Sequence, residues 1–394
     1  MTAIDVRPSP DAEAISEAVA AALRTIDANV AEFGGRYPGD TTVQNRYRPR
    51  PSALGDGANV GWTTSFWPGM LWLAHDLTGD EAYLRAAAGH VHSFAERMRR
   101  YQDVDTHDLG FLYTLAGVVP WRRTGDERAR SAALAAADHL LTRVLEPAGI
   151  IQAWGGVGDP GQRGRTIIDS LMNTPLLFWA SATTGEPHYA TAARRHAEQL
   201  RDNILRPDDT TFHTFYWDAR TGEPLRGETE QGSADDSCWA RGQAWGIYGF
   251  TLNHRHTADP TLLDAARRCA DRFLSRLPSD GVAYWDLVFA DGSGEERDSS
   301  AAAIAAGGLT ELADALGTDP AADRYRTAAA QILGSLIDGY STAREPGSNA
   351  LLLHGVYDKP KGVGVDEGNL WGDYFYLEAL TRAARPGWTA PWLP

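Results

Sequence analysis

At 394 residues, with 43% hydrophobic and 23% charged positions, the chain has a globular composition and is long enough to bury a large core. Its formal net charge of −15 argues against nucleic acid and anionic membrane surfaces as partners, but not against a small anion held by a local arginine or a helix N-terminus. Cys238 and Cys269 show neither metal nor disulfide spacing, and the N-terminal stretch MTAIDVRPSPDAEAIS lacks the apolar centre of a secretory leader. A cytoplasmic protein without a membrane span is therefore expected.

An amphipathic helix is predicted over 11–26 (DAEAISEAVAAALRTI). After it a phrase recurs five times: a Thr-Gly-Asp-like turn followed by an Ala- and Arg-rich segment with apolar residues at helical spacing. These phrases begin at Leu77, Arg123, Thr183, His256 and Leu316. In each, an acidic residue or the one before it is placed to cap the new helix. Ahead of each phrase lies a stretch that is apolar, aromatic or Ala-rich on most faces: SFWPGMLWLAHDL, DLGFLYTLAGVV, DSLMNTPLLFWASA, SCWARGQAWGIYGFTL and DSSAAAIAAGGLTELADAL. A sixth, NLWGDYFYLEALTRAA, closes the chain.

A helix apolar nearly all round must be buried on all sides, whereas an amphipathic one lies at a surface. Twelve helices in six inner–outer pairs predict an all-α (α/α)6 barrel, with 1–394 as a single catalytic domain. The unequal spacing of Thr78, Thr124 and Thr184 suits a closed toroid better than an open solenoid. No alternating run of strand length stands out, which argues against a parallel sheet. The long connections, 41–64, 146–168, 206–236, 278–297 and 341–368, all fall where inner helices begin. Long loops without regular structure in a compact domain are usually functional, so the site is expected at that end.

Polar residues open several inner helices: His107 and Asp108 the second, Asp169 the third, and Asp298, Ser299 and Ser300 the fifth. Asp is a favoured helix cap, so each taken alone has a plain structural reading. Six helix starts around one axis nevertheless bring such groups together, and paired carboxylates are the equipment of acid/base hydrolysis. The long loops add Trp62, Trp154, His213, Gln231, Trp239 and Arg241, and Trp245 follows on the fourth inner helix. Tryptophans there serve equally as core lids or as platforms for sugar faces. Arg241, within an apolar stretch, needs a partner: a structural carboxylate or a bound one. Lys359 and Lys361 are either solvated or positioned for a sulfate or carboxylate. His75, His90, His188 and His196 stand in no catalytic pattern. No metal, nucleotide or serine-hydrolase motif is present.

The blocks HDLGFLY, TIIDSLMNTPLLFWA, CWARGQAWGIYGF, DSSAAAIAAGGL and GVGVDEGNLWGDYFYLEAL resemble unsaturated glucuronyl hydrolases of glycoside hydrolase family 88, from about Trp62 to Ala384. The resemblance implies the same barrel and a substrate left by polysaccharide lyases, a small anionic oligosaccharide ending in a C4=C5-unsaturated uronic acid. Such enzymes protonate C4 and add water at C5, and the resulting hemiketal opens and expels the second sugar. Carried over, Asp169 is the general acid/base and Asp108 the second essential aspartate. His107, His213, Gln231 and Arg241 line the uronate subsite, and Trp62, Trp154, Trp239 and Trp245 form its walls. No metal or organic cofactor is implied. Chondroitin- or hyaluronan-type disaccharides are the expected substrates, for a monomer or small homo-oligomer. Rival readings are an unsaturated rhamnogalacturonyl hydrolase, a sugar 2-epimerase using His107 and His213, and a non-catalytic sugar-binding barrel. Fold alone separates none of them.

Overall fold

A computed structural model describes residues 8–159 and 161–393; the first residues of the leader reading, 1–7, lie outside them. The chain opens with α1 (Ala12–Phe33), followed by α2 (Phe66–Thr78), α3 (Glu81–Gly89) and α4 (Val91–Arg99). Next come α5 (Leu109–Tyr113), a π-helical turn (Thr114–Val118), α6 (Val119–Thr124) and α7 (Glu127–Leu141). Strands β1 (Val144–Leu145), β2 (Ile150–Ile151) and β3 (Arg165–Ile167) precede a 3-10 turn (Ile168–Met172), α8 (Thr174–Thr184) and α9 (Pro187–Asn203). Then follow β4 (Thr214–Trp217), β5 (Pro224–Glu228), α10 (Ala240–Thr257), α11 (Pro260–Ser275), α12 (Ser299–Leu316) and α13 (Ala321–Gly339). Strands β6 (Gly355–Asp358) and β7 (Val363–Glu367) lead into α14 (Leu370–Ala384).

The helices form the expected (α/α)6 barrel. The inner ring runs α2, the α5–α6 unit, α8, α10, α12 and α14, and it closes because α14 packs back against α2. The outer ring is α1, α3 with α4, α7, α9, α11 and α13. The recurring phrase does what its chemistry allows: Asp80, Asp126 and Asp259 accept the N–H of Ala82, Arg128 and Thr261 at 2.7–2.9 Å and start α3, α7 and α11. Asp319 likewise accepts from Ala321 at 2.8 Å. Glu186 makes no such bond, and Pro187 begins α9 instead. Inner helices are buried on nearly every face; Ser299 to Leu309 of α12 is buried at every position.

One expectation needs correcting, and one structural alternative falls away. The long connections are not devoid of regular structure, since they carry three small antiparallel sheets: β1–β2, β3–β4–β5 and β6–β7. The strands have only two to five residues, too short for alternation to register in sequence. Neither Asp108 nor Asp169 caps a helix through its side chain. Asp108 sits at the N-cap of α5 without a capping hydrogen bond, and Asp169 lies inside the 3-10 turn ahead of α8. Asp298 alone among these three acts as a cap: its Oδ1 accepts from the N–H of Ser300 at 3.1 Å.

Candidate active site

The hairpins converge on the barrel end where the inner helices begin. β3 pairs with β4 with Ile167 opposite Thr214, and the N–H of Ile168 donates to the carbonyl of His213 at 3.1 Å. That ladder sets His213 beside the turn carrying Asp169. The N–H of His107 donates to Ala153 O at 3.0 Å, and Ala153 N–H donates to Arg165 O at 3.0 Å, so the Asp108 loop is stitched through 153 to the same strand.

The result is a cavity of about 260 Å³, open to solvent, lined by the ten residues that the resemblance assigns to the catalytic pair, the uronate subsite and its walls: Trp62, His107, Asp108, Trp154, Asp169, His213, Gln231, Trp239, Arg241 and Trp245. Ile167, Glu230, Tyr357 and Lys361 complete the wall. Of these four only Lys361 drew notice in sequence; the others carry no local pattern.

At the centre, His107 Nε2 lies 3.3 Å from Asp108 Oδ1 and 3.9 Å from Asp169 Oδ1. Asp108 Oδ2 accepts from Thr106 Oγ1 at 2.8 Å. Asp169 Oδ1, by contrast, is buried without a hydrogen-bond partner. Burial first, and then the charge of Asp108, push the Asp169 carboxyl well above the ordinary carboxylate range, against a smaller opposing pull from Arg241. A carboxyl with an empty acceptor and a raised pKa is biased towards its neutral form, which is the state a proton donor needs. Burial also keeps His107 and His213 neutral. His213 is pushed down to about 3, with Arg241 and Lys361 adding to the effect of burial.

Donor atoms of His107, Asp108 and Asp169 lie within 4.8 Å of one another, a spacing that would also admit a metal ion. A protonated carboxyl is a poor ligand, so the acid role of Asp169 and a ligand role exclude one another.

Arg241 finds the structural carboxylate: its Nη1 lies 3.0 Å from Asp298 Oδ2. It also donates to the carbonyls of Val356 and Tyr357 and to Gln231 Oε1, and it lies over Trp239 at 4.4 Å from the ring centroid. Its fork is thus committed to the protein, and its charge reaches the cavity mainly through space and through Gln231. The tryptophans divide by exposure. Trp245 is buried in the floor against Phe111 and Phe375, and Trp239 lies edge-on to His213. Trp62 and Trp154 are half-buried and show the cavity part of their surface. Trp62 donates its indole N–H to Tyr357 at 3.1 Å, and Arg165 lies 4.5 Å above the ring of Trp154.

Three residues that support the site have no motif. Arg143, fully buried, donates to the carbonyls of Gln152, Ala153 and Gly155 and pairs with Asp105, tying the Trp154 loop to the approach to Asp108. Asn173 Oδ1 accepts the N–H of Phe111 at 2.7 Å, and His196 reaches Ser170, the neighbour of Asp169. All three act by bridging separate segments of chain, which spacing does not encode. Lys359 pairs with Glu296, and Lys361 pairs with Asp358 at 2.9 Å, with Glu230 at 3.8 Å.

Comparison with known proteins places the chain in a family and matches its fold. Residues 39–378 match the model of Glycosyl Hydrolase Family 88. The chain is 45% identical over 377 residues to the unsaturated glucuronyl hydrolase of Bacillus sp. (strain GL1), covering 95% of this chain and 98% of that one. It is 43% identical to the unsaturated chondroitin disaccharide hydrolase of Streptococcus pneumoniae, covering 96% and 94%. The crystal structure of the Streptococcus agalactiae unsaturated glucuronyl hydrolase superimposes with a TM-score of 0.93 at 43% identity, covering 98% and 95%. No described helix is long and apolar enough to cross a membrane.

Proposed function

The chain belongs to glycosyl hydrolase family 88, and from that premise we propose that it hydrates the C4=C5 double bond of a terminal unsaturated glucuronic acid and so releases the second sugar of a lyase-generated disaccharide. The observation that carries this reading is Asp169: a carboxyl lining the cavity, pushed towards its neutral form by desolvation and by the charge of Asp108, with its buried Oδ1 left without a hydrogen-bond partner. An enol ether conjugated to a carboxylate is a weak carbon base, so its protonation needs a positioned acid of this kind.

In the proposed reaction Asp169 gives its proton to C4, and the positive charge that develops at C5 and the ring oxygen is met by the carboxylate of Asp108. Water adds at C5 and returns a proton to Asp169. The hemiketal then opens and the glycosidic oxygen leaves with the second sugar, so no displacement at C1 is required. Trp62 and Trp154 offer ring faces to the sugars, and Gln231 and His213, both neutral, offer hydrogen bonds rather than charge. The positive field of Arg241 favours the uronate carboxylate.

Chondroitin- and hyaluronan-type disaccharides head the substrate list. The names of the streptococcal relatives support the chondroitin type, and a Streptococcus agalactiae enzyme structure at 39% identity carries dGlcA-GalNAc6S. The whole chain is read as one catalytic domain, acting as a monomer or small homo-oligomer on imported disaccharides in the cytoplasm. Two buried free cysteines suit a reducing compartment.

The conjugated alkene absorbs in the ultraviolet and hydration destroys it. Loss of absorbance from an unsaturated chondroitin disaccharide, with release of the second sugar and no effect of EDTA, is the expected outcome. Turnover confined to rhamnogalacturonan products would move the assignment to the rhamnogalacturonyl type. Inertness towards every unsaturated uronide would refute the hydration chemistry.

A further inference from the structure

His196 stood in no pattern in the sequence, yet it is fully buried on the outer helix α9, where a histidine has no packing advantage over leucine. Both of its ring nitrogens are engaged. Nδ1 lies 3.0 Å from the N–H of Ile151, which can only donate, so Nδ1 is the acceptor and the ring carries its proton on Nε2. That Nε2–H points at Ser170 Oγ, 2.7 Å away. Ser170 Oγ also accepts from Thr166 Oγ1 at 3.1 Å and donates to Ile167 O at 2.6 Å. Every polar atom of the Ser170 side chain is used, and each partner has a fixed role.

Both ends of this bridge belong to the site. Ser170 is next to Asp169 in the 3-10 turn, and Thr166 and Ile167 are the strand residues leading into it. Ile151 begins the stretch whose Ala153 accepts from His107 N–H and donates to Arg165 O. One side chain therefore pins two of the segments that meet at the carboxylates. The turn itself is short, and the side chain of Asp169 has an oxygen with no partner of its own to hold it. Its aim must be set by its neighbours in the turn.

We propose that His196 is a positioning residue for the hydration reaction, acting through Ser170 to hold the 3-10 turn so that the Asp169 carboxyl is presented to the cavity. The proposal rests on the function read above for Asp169. Neutrality of the ring suits the role: burial pushes the imidazole down to about 3, so its donor and acceptor assignments persist across the working range.

The experiment compares Ser170→Ala, His196→Ala and His196→Gln with the unaltered enzyme on an unsaturated chondroitin disaccharide, with melting temperatures alongside. Misplacing a catalytic group by about 1 Å costs roughly hundredfold in rate. Ser170→Ala, whose folding the melting temperature checks, is expected to lower kcat about ten- to hundredfold with KM within about twofold. His196→Ala should match it, the double variant should be no worse than either single one, and His196→Gln, which keeps a donor towards Ser170, should recover most of kcat. Unchanged kcat in Ser170→Ala, or a loss in His196→Gln as deep as in His196→Ala at restored melting temperature, would overturn the proposal. Nitrogen NMR of the resting enzyme reads the bridge without substrate: the Nε2–H tautomer is expected, and an Nδ1–H tautomer refutes it. An unaltered enzyme that leaves every unsaturated uronide intact while showing the Nε2–H tautomer would instead refute the function and leave the bridge standing.

Discussion

Gly110 lies against the backbone of Asn173 so closely that a Cβ at position 110 would overlap the Asn173 Cα, carbonyl oxygen and Cβ, while Asn173 Oδ1 accepts the N–H of Phe111 at 2.7 Å. This contact joins the start of α5 to the start of α8 and so fixes how far Asp108 stands from Asp169. Gly110→Ala forces the two segments apart. The expected cost is about 3 kcal/mol of stability and more than about hundredfold in turnover, read from denaturant unfolding and the absorbance assay. Normal kcat in a folded Gly110→Ala protein would show that the separation is set elsewhere.

Asp169→Asn removes the proton that the reaction consumes, and turnover should fall by about a thousandfold or more while disaccharide binding survives. Stability should move the other way. Because burial raises the carboxyl in the folded state, its contribution is full below the unfolded pKa and is lost as pH rises through the folded one. The Asn variant escapes that loss and should melt higher than the parent at neutral and alkaline pH. For the parent, the rate should decline as pH rises past the raised value. A rate that climbs there instead would require Asp169 to act first as a base.

Asp373, in the first turn of α14, is fully buried, and its carboxyl is pushed up to about 7, first by burial. It accepts from Leu352 N–H at 2.9 Å and from Tyr47 at 3.1 Å, holding two loops onto the last inner helix. A raised carboxyl stabilises the fold at low pH and loses that contribution as pH climbs from about 4 through 7. Asp373→Asn keeps an acceptor for Leu352 without the ionisation. Its melting temperature should therefore gain on the parent steadily between pH 5 and about 8. Parallel profiles would show that Asp373 does not titrate in this range.

The rim of the cavity offers little free positive charge, since Lys361 lies between Asp358 and Glu230 and Lys359 is paired with Glu296. Glu230→Gln should leave Lys361 more available to a sulfated second sugar. An exposed pair of this kind is worth about 1 kcal/mol at most, so kcat/KM for a sulfated over an unsulfated disaccharide should rise about fivefold or less. Lys361→Met should lower the same ratio. Opposite movement in both variants would place the second sugar on another face of the cavity.

Helical spacing and the capping turns at Asp80, Asp126 and Asp259 announce the barrel, because periodicity and caps are properties of a few neighbouring residues. The strands β1 to β7 leave no such trace, being too short to show a period. The sequence likewise placed every residue of the suspected set near the start of an inner helix or on a long loop. By residue type and spacing alone Asp108, Asp169 and Asp298 look alike, and only the family resemblance set the first two apart. The tertiary structure shows the physical difference: Asp298 caps α12 and neutralises Arg241, Asp108 is bonded by Thr106, and Asp169 keeps a buried oxygen with no partner. Whether a carboxyl is a cap, a counter-ion or an acid depends on desolvation and on charges brought in from distant segments. Those are sums over the whole packed molecule, and no stretch of chain carries them by itself.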